Sequence, residues 1–245
     1  MFTGDDLCDG PLVDADRADL DYLLKNLVRG MLCFGFIGKG KAARGTACLF
    51  HKKLNEEISM RLIVGVSGAS GTILAERMLL ALRQIPEMET HLVVSNGART
   101  TEGLEMGDSH PELTSLAHVV HPIDDIAASI ASGSFRSAGM VVIPCSMKTL
   151  AGIVSGYSDN LLLRAADVCL KERRKLVLVT REMPLSNLHL ENMLKASQYG
   201  AMIMPPMLTF YNAPETIDDM INHLIGKVLM QFGLSFERFS PWQGG

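Results

Sequence analysis

The sequence lacks a long hydrophobic run and an excess of basic residues, and both absences exclude classes of protein. Its longest early apolar stretch, Met31–Gly38, is interrupted by glycine and is far shorter than the roughly 20 residues that a membrane helix needs. The acidic residues before that stretch also argue against a signal peptide. The formal net charge is −4, so no nucleic-acid partner is implied, although a local positive cluster could still bind a small anion.

Paired cysteines are absent as well. The five cysteines form no Cys-x-x-Cys motif, and an odd number without regular spacing favours a reducing compartment, which we expect to be the cytoplasm. Cys48 and His51 resemble half of a zinc site, but no second half follows. Cys145 has no histidine nearby in the sequence, so a buried thiol is favoured over a nucleophile.

The chain divides into two unequal parts. Residues 1–59 begin with an acidic stretch and continue with a basic one, and only Asp19–Met31 has the spacing of a short helix. We expect a poorly ordered extension, or a segment upstream of a natural start at Met60, which directly precedes the first strong strand. An intact native peptide from residues 1–59 would exclude the second interpretation. Residues 60–245 form the expected functional domain.

That domain alternates short apolar runs with helical patterns. The predicted strands are Arg61–Val66, Thr90–Ser95, Gly139–Pro144, Lys175–Thr180 and Ala201–Met204. The predicted helices are Thr72–Arg83, Ile123–Ile130, Thr149–Val154, Leu161–Lys171, Leu188–Tyr199 and Pro214–Phe232. Continuous apolar strands that alternate with helices predict an α/β fold with a parallel sheet covered on both faces. Such sheets bind ligands at the carboxyl ends of their strands.

A glycine-rich turn follows the first strand, with Gly65, Gly68 and Gly71 three residues apart. Glycine allows a ligand to approach the main chain, and the helix that follows presents N–H groups suited to a phosphate or a flavin edge. A tight turn without a ligand is the alternative. The spacing departs from the dinucleotide fingerprint. The neutral Ser95 after the second strand favours a mononucleotide over NAD.

Polar residues also follow the next two strong strands. Ser146, Lys148 and Thr149 collect two hydroxyls and a cation at a helix start, which suits a phosphate or the polar edge of a flavin. A capping serine beside an exposed lysine is the alternative. Arg181 and Glu182 follow the fourth strand, where arginine can bind phosphate and glutamate can move a proton. An ion pair that closes the sheet is the other interpretation.

The segment after the last predicted strand, Pro205–Asn212, combines two prolines with two aromatic residues. It suits the wall of a pocket for an apolar ligand with a polar end, although a plain turn has the same composition. Lys227 lies on the last predicted helix. Trp242 is the one tryptophan of the chain and lies in its tail, which hints at self-association.

Taken together and in this order, these segments resemble the flavin prenyltransferases, which are also known as the B subunit of phenolic or aromatic acid decarboxylases. The resemblance covers Met60–Gly245 and has no counterpart for residues 1–59. It is carried by Val66–Gly71, Ser132–Phe135, Pro144–Leu150, Arg164–Asp167, Arg181–Pro184, Met204–Pro206, Phe210–Tyr211 and Trp242–Gly244.

The resemblance implies a three-layer, Rossmann-like (flavodoxin-like) flavoprotein that forms a homo-oligomer, typically a dodecamer. It implies a metal-independent prenyltransferase that joins a dimethylallyl group from dimethylallyl phosphate to N5 and C6 of reduced FMN. The product, prenylated FMN, then serves a separate UbiD-type decarboxylase of aromatic acids.

The resemblance also implies residue roles. FMN would contact Gly68, Ala69, Ser70, Ser95, Ser146, Met147, Lys148, Thr149 and Arg181. Dimethylallyl phosphate would contact Tyr211, Lys227, Arg164 and Lys171. The catalytic residues would be Glu182, Glu105 and Ser70, with Glu182 as the principal proton-handling carboxylate. Lys227 stands where many relatives carry arginine, which keeps the charge but loses the two-pronged donor.

Two alternatives remain open at this point. One is a related flavin-dependent cysteine decarboxylase, although those enzymes usually use a histidine early in the domain, and here Thr72, Ile73 and Leu74 follow the turn instead. The other is a non-catalytic, FMN-carrying subunit of a decarboxylase. The mass of the flavin after incubation with dimethylallyl phosphate would separate these possibilities.

Overall fold

The computed structural model describes residues 60–107, 110–239, 241–242 and 244. The predictions for residues 1–59, including the helix over Asp19–Met31 and the origin of this segment, lie outside the described residues.

A single parallel sheet of six strands organises the described part of the chain. The strands are β1 (Met60–Val66), β2 (Met88–Val94), β3 (Val119–His121), β4 (Gly139–Cys145), β5 (Lys175–Thr180) and β6 (Met202–Ile203). Their order in the sheet is β3-β2-β1-β4-β5-β6, and every neighbouring pair is parallel. The predicted α/β fold is therefore confirmed.

Helices connect the strands, as parallel pairing requires. They are α1 (Thr72–Arg83), α2 (Asn96–Glu105), α3 (Leu113–Leu116), α4 (Met147–Ser155), α5 (Leu161–Lys171), α6 (Asn187–Gln198) and α7 (Ile217–Gln231). A short 3₁₀ helix spans Ser129–Ala131. Among the described residues, no helix combines the length and the apolar character needed to cross a membrane.

The core consists of two apolar layers, one on each face of the sheet. Successive side chains of β1 alternate between them: Leu62 and Val64 pack with α1 and α7, whereas Ile63 packs with α4 and α5. All three side chains are at most 1% exposed. Burial on both faces explains why the central strands are mostly apolar, which is the pattern that made them visible in the sequence.

The predicted helix over Ile123–Ile130 is wrong. Its isoleucines have helical spacing, but the segment forms turns that end in the 3₁₀ helix. The Asp125 carboxylate accepts a hydrogen bond from the Ala127 N–H at 3.2 Å, and this local bond competes with helix formation. Ile126 is consequently 64% exposed.

Three short elements were not predicted: α2, α3 and β3. The helix α2 carries one buried residue, Ala98, so it has no apolar stripe to detect. The strand β3 has three residues at the edge of the sheet, where strands are commonly short and polar. The strand Gly139–Pro144, predicted as the third, is therefore β4.

Candidate functional site

The sheet has its topological switch point between β1 and β4. The chain runs outward from β1 to β2 and β3 on one side, and from β4 to β5 and β6 on the other. Loops at the carboxyl ends of β1 and β4 therefore diverge and leave a crevice. A cleft of about 1170 Å³ opens at this edge, and it brings together the predicted residues Gly68, Ser95, Ser146, Met147, Lys148, Thr149 and Glu182.

Ser67 joins the two sides of the crevice. Its Oγ donates to the Pro144 carbonyl oxygen at 2.9 Å and accepts from the Ser146 N–H at 2.7 Å. The Ser67 N–H also donates to the Pro144 carbonyl at 3.2 Å. The side chain is buried. No role was predicted for Ser67 from the sequence, because a serine beside glycines resembles any turn residue.

The glycine-rich turn lies against the first turn of α2. A Cβ atom added to Gly68 would lie 2.9 Å from the Gly97 carbonyl carbon, so only glycine fits this backbone-to-backbone contact. Ser95 begins the same helix, and its Oγ accepts the Ala98 N–H at 3.2 Å. Gly68, Ser95 and Gly97 thus form one wall of the cleft.

The opposite wall begins with Ser146, which caps α4. The Ser146 Oγ accepts the Thr149 N–H at 3.3 Å and donates to the Thr149 Oγ1 at 3.1 Å. The positive end of the α4 dipole therefore faces the cleft, and the exposed Lys148 adds a full charge. Both sequence interpretations hold here, since Ser146 is a capping residue that also lines the cleft.

Glu105 is hydrogen-bonded to the start of α1. Its Oε2 accepts the N–H groups of Gly71 at 2.9 Å and Thr72 at 2.8 Å, so the carboxylate caps α1 from the end of α2. Burial alone would raise its pKa, but hydrogen bonds from the Ser70 hydroxyl, Thr72 and Gly71 lower it overall. These hydrogen bonds give Glu105 a structural role in the turn, and the catalytic role that the resemblance implies for it stays a prediction.

The same hydrogen bonds correct an expectation about the start of α1. The N–H groups at the start of α1 were predicted to meet an anionic ligand, but an internal carboxylate already occupies those of Gly71 and Thr72. Ser70 bonds to that carboxylate, and Ala69 closes a tight turn through its N–H to the Ser67 carbonyl at 2.8 Å. Neither Ala69 nor Ser70 belongs to the lining of the cleft.

Glu182 follows the end of β5 and contributes a carboxylate to the lining of the cleft. It is exposed, and its Oε1 accepts the Met183 N–H at 3.0 Å. Arg181 is also exposed, and its N–H donates to the Cys145 carbonyl at 3.0 Å, which aligns the ends of β4 and β5. The Arg181 side chain is not part of the cleft lining. No ion pair joins it to Glu182, so that alternative is not supported among the described residues.

Tyr211 and Lys227 belong to a second group of residues, around α7. The Tyr211 hydroxyl lies 2.9 Å from Nε2 of His223, which is buried on α7 one turn before Lys227. The rings of Tyr211 and Trp242 meet edge to face at 5.8 Å. No role was predicted for His223 from the sequence. Its position four residues before Lys227 nevertheless places both side chains on one side of the helix.

Arg164 and Lys171 lie on α5, which leads away from the cleft. Asn160, at the start of this helix, lines the cleft, whereas Lys171 is its last residue and lies just before β5 begins. Eleven residues of α-helix are about 16 Å long, so Lys171 is near the opposite edge of the sheet. Arg164 pairs with Asp167 at 2.8 Å, and Lys171 pairs with Glu172.

Arginine side chains hold the segment around Ser132–Phe135 beside Lys171 by donating to its backbone carbonyl oxygens. Arg174 donates to the carbonyl oxygens of Phe135 and Gly133, and Arg164 Nε donates to the Ala131 carbonyl at 3.2 Å. A Cβ atom on Gly133 would collide with the Lys171 and Glu172 side chains. The contacts of Lys171 are therefore with the Ser132–Phe135 segment and not with the cleft lining.

Cys145 is a buried thiol, in agreement with its prediction. It is fully buried at the end of β4, and burial raises the pKa of its thiol to about 12. A thiol with such a pKa is protonated at neutral pH and is a poor nucleophile.

The composition of the cleft fits a phosphorylated heteroaromatic ligand. Its lining combines hydroxyls, backbone amides and Lys148 with the apolar side chains of Ile123, Leu162 and Leu163. The buried Thr180 Oγ1, at the end of β5, has no hydrogen-bond partner among the described residues. The volume is that of a site for a ligand the size of a mononucleotide. Fold and cleft together define a flavodoxin-like, mononucleotide-binding class of protein.

Comparison with known proteins agrees with this class. A family profile described as Flavoprotein matches residues 51–229. A probable UbiX-like flavin prenyltransferase of Sedimentibacter hydroxybenzoicus is 59% identical over 185 residues, which is 76% of this chain and 98% of the relative. The flavin prenyltransferase UbiX of Escherichia coli (strain K12) is 54% identical over 186 residues, covering 75% of this chain and 98% of the relative. The chain belongs to the flavoprotein family and, within it, to the UbiX-like flavin prenyltransferases.

Solved structures agree with this assignment. A dodecameric, FMN-dependent UbiX-like decarboxylase from Escherichia coli O157:H7 is 57% identical, with a TM-score of 0.73 over 76% of this chain and all of the other. AnUbiX in complex with FMN and dimethylallyl pyrophosphate is 48% identical, with a TM-score of 0.73 over 76% of this chain and 98% of the other. The predicted Rossmann-like (flavodoxin-like) fold and the predicted family are both confirmed.

Proposed function

We propose that this protein joins a dimethylallyl group from dimethylallyl phosphate to reduced FMN and releases prenylated FMN for a UbiD-type aromatic acid decarboxylase. The observation that carries the proposal is the cleft at the switch point, where Glu182 shares a lining with Ser95, Ser146 and Lys148. A carboxylate beside anion-binding groups is the combination that prenylation of a phosphorylated flavin requires.

Flavin binding would use both walls of the cleft. Gly68 and Gly97 allow the ligand to approach the backbone, and the hydroxyls of Ser95 and Ser146 offer neutral hydrogen bonds. Lys148 and the start of α4 supply positive potential for a phosphate. When bound in its reduced form, the flavin supplies the nucleophilic ring atoms to which the dimethylallyl group is joined.

The protein side chains would assist both halves of the reaction. Cleavage of the allylic C–O bond releases phosphate, and Tyr211, Lys227 and Arg181 would stabilise the departing charge. Apolar side chains such as Ile123 and Leu162 would exclude water that could trap the allylic carbon. Glu182 would accept the ring proton that is lost when the second bond closes.

The site would be completed by a neighbouring copy of the chain. Lys171 lies near the edge of the sheet opposite the cleft, so its contact with a phosphate in the cleft would come from another subunit. Several apolar side chains are exposed in one protomer, including Leu194, Met207 and Phe210 at 60–70%. Contact with further copies would cover them. A homo-oligomer, and the dodecamer reported for the 57% identical structure, is consistent with both features.

The decisive experiment is anaerobic incubation of the purified protein with reduced FMN and dimethylallyl phosphate, followed by mass spectrometry of the released flavin. We expect the flavin mass to increase by one isoprene unit. Parallel incubations with dimethylallyl pyrophosphate would identify the preferred donor, since the similar AnUbiX structure contains the pyrophosphate. An unchanged flavin mass with both donors would instead favour a non-catalytic, FMN-carrying subunit.

The product can be tested for its proposed use. Apo-decarboxylase of the UbiD type should gain activity towards an aromatic acid after addition of the reaction mixture, and not after addition of FMN alone. A reducing compartment, which we take to be the cytoplasm, suits a protein whose described cysteines, Cys145 and Cys169, are both buried free thiols.

A further inference from the structure

His223 is a buried imidazole at the end of the proposed phosphate-binding group. Its side chain is 4% exposed, whereas its hydrogen-bond partner Tyr211 is 53% exposed. Nε2 of the imidazole and the phenolic oxygen are 2.9 Å apart, and the two rings meet edge to face. The exposed phenol is therefore fixed in position by a buried group.

Two tail residues surround this pair. Phe239 packs against the His223 ring at 5.1 Å, and Trp242 packs against the Tyr211 ring at 5.8 Å. Phe239 can approach α7 because residue 226 is glycine, where a Cβ atom would lie 2.3 Å from the Phe239 Cβ. These contacts leave the imidazole little freedom to rotate away from Tyr211.

The charge state of His223 is determined by its surroundings. Burial lowers its pKa, and the positive charge of Lys227 lowers it further. At neutral pH the imidazole is therefore neutral and carries one N–H. A tyrosine that bonds a phosphate must donate its own O–H, so its oxygen is best held by a neighbour that donates to it.

We propose that His223 is a positioning residue, whose Nε2–H donates to the Tyr211 oxygen and leaves the phenolic O–H directed at the phosphate of the prenyl donor. The inference rests on the proposed function, because it takes Tyr211 as a phosphate contact. It also gives a reason for Lys227 in this chain: a lysine is a point charge without a directional fork, and the oriented phenol supplies the missing direction.

Three variants test the proposal. His223→Phe keeps an aromatic ring but removes the donor, His223→Gln restores an N–H at a similar reach, and Tyr211→Phe removes the hydroxyl. The KM for dimethylallyl phosphate should rise about tenfold in His223→Phe, as expected for the loss of one oriented hydrogen bond. The kcat and the FMN affinity should remain within about twofold, and His223→Gln should recover most of the loss.

A double variant separates positioning from general structure. In the Tyr211→Phe background, His223→Phe should add almost nothing to KM, because the bond that it removes is already gone. Additive effects, a weaker affinity for FMN in His223→Phe, or an unchanged KM would overturn the inference.

Binding of inorganic phosphate, measured by titration calorimetry, decides the question independently of turnover. The wild type and His223→Gln should bind it about tenfold more tightly than His223→Phe. A wild type that binds phosphate in this pattern but makes no prenylated flavin would refute the proposed function and leave the inference standing. A wild type that prenylates FMN while all variants bind phosphate equally, or a wild type that binds no phosphate, would refute the inference.

Discussion

The hydroxyl of Ser67 lies 2.7 Å from the backbone nitrogen of Ser146 and connects two loops that the chain separates by 79 residues. The same hydroxyl donates to the Pro144 carbonyl, so both of its bonds reach the end of β4. Because Ser146 begins α4 and lines the cleft, the Ser67 side chain determines the spacing between the two walls of the site.

Replacement of Ser67 by alanine should weaken both the fold and the site. The change leaves the partly buried Ser146 N–H without its acceptor, which costs about 1–3 kcal/mol of unfolding free energy. The FMN dissociation constant should rise as well, because the walls of the cleft lose their connection. Chemical denaturation and flavin-fluorescence titration measure the two effects. Ser197→Ala, at an exposed position of α6, is the control and should change neither.

Glu105→Gln tests the carboxylate that caps α1. At neutral pH the variant should lose about 1 kcal/mol of stability, since it loses a charged acceptor at a helix start. The pKa of Glu105 is lowered from its ordinary value of 4.5, so the stabilisation is complete above that value and disappears as pH falls through the lower, folded-state pKa. The stability difference between the wild type and the variant should therefore shrink in acid.

Urea unfolding of both proteins between neutral pH and pH 3 provides the measurement. Glu237→Gln, at an exposed position near the tail, is the matched control and should lack this dependence. If Glu105→Gln instead abolished prenylation while it left stability unchanged, Glu105 would be a proton-transfer residue after all.

Glu182→Gln should separate flavin binding from turnover. The amide keeps the size of the side chain but cannot accept a proton, so kcat for prenylation should fall about 100-fold or more. The FMN dissociation constant should change little, because Glu182 is exposed and bonds only locally, to the Met183 N–H. Assays quenched at set times, with the flavin product quantified by mass spectrometry, measure the rate. Glu191→Gln, at an exposed position of α6, is the control and should keep the wild-type rate. A normal rate in Glu182→Gln would remove this residue from the mechanism.

The fold was predictable because its central strands are buried on both faces. The runs that became β1, β4 and β5 are almost entirely apolar, and the helix over Leu161–Lys171 matches the prediction residue for residue. Elements with little buried surface, such as β3 and α2, have no such pattern. The failure at Ile123–Ile130 has the same origin, since apolar spacing does not reveal a competing Asp125 turn.

The site residues that directly follow a strand could be predicted from the sequence. The hydrogen bonds between residues far apart in the sequence could not. The positions after β1, β2, β4 and β5 could be identified, because parallel strands bring their carboxyl ends to one edge. The bonds of Ser67 to residue 146, of Glu105 to residue 71, and of His223 to residue 211 depend on tertiary structure. Sequence patterns of neighbouring residues cannot contain that information.

The position of Lys171 leads to a prediction about mixed oligomers. If each site takes Glu182 from one protomer and Lys171 from another, Lys171→Ala and Glu182→Gln each inactivate every site in their own homo-oligomer. Oligomers assembled from both variants should contain roughly one intact site in four, because the two wild-type residues then meet by chance. Co-expression with two affinity tags, sequential purification and the flavin mass assay would measure the recovered activity.

The control for this experiment is a mixture of Glu182→Gln with the double variant Lys171→Ala/Glu182→Gln, which contains no intact carboxylate and should stay inactive. Recovery in the first mixture and not in the second would mean that two copies complete one site. Lack of recovery in both mixtures would mean that Lys171 acts within its own protomer, whereas an active Lys171→Ala homo-oligomer would mean that Lys171 does not act at all. Action within one protomer conflicts with the direction of α5, since Lys171 lies about 12 Å of helix beyond Leu163, the last residue of α5 that lines the cleft. The shared site is therefore the expected arrangement.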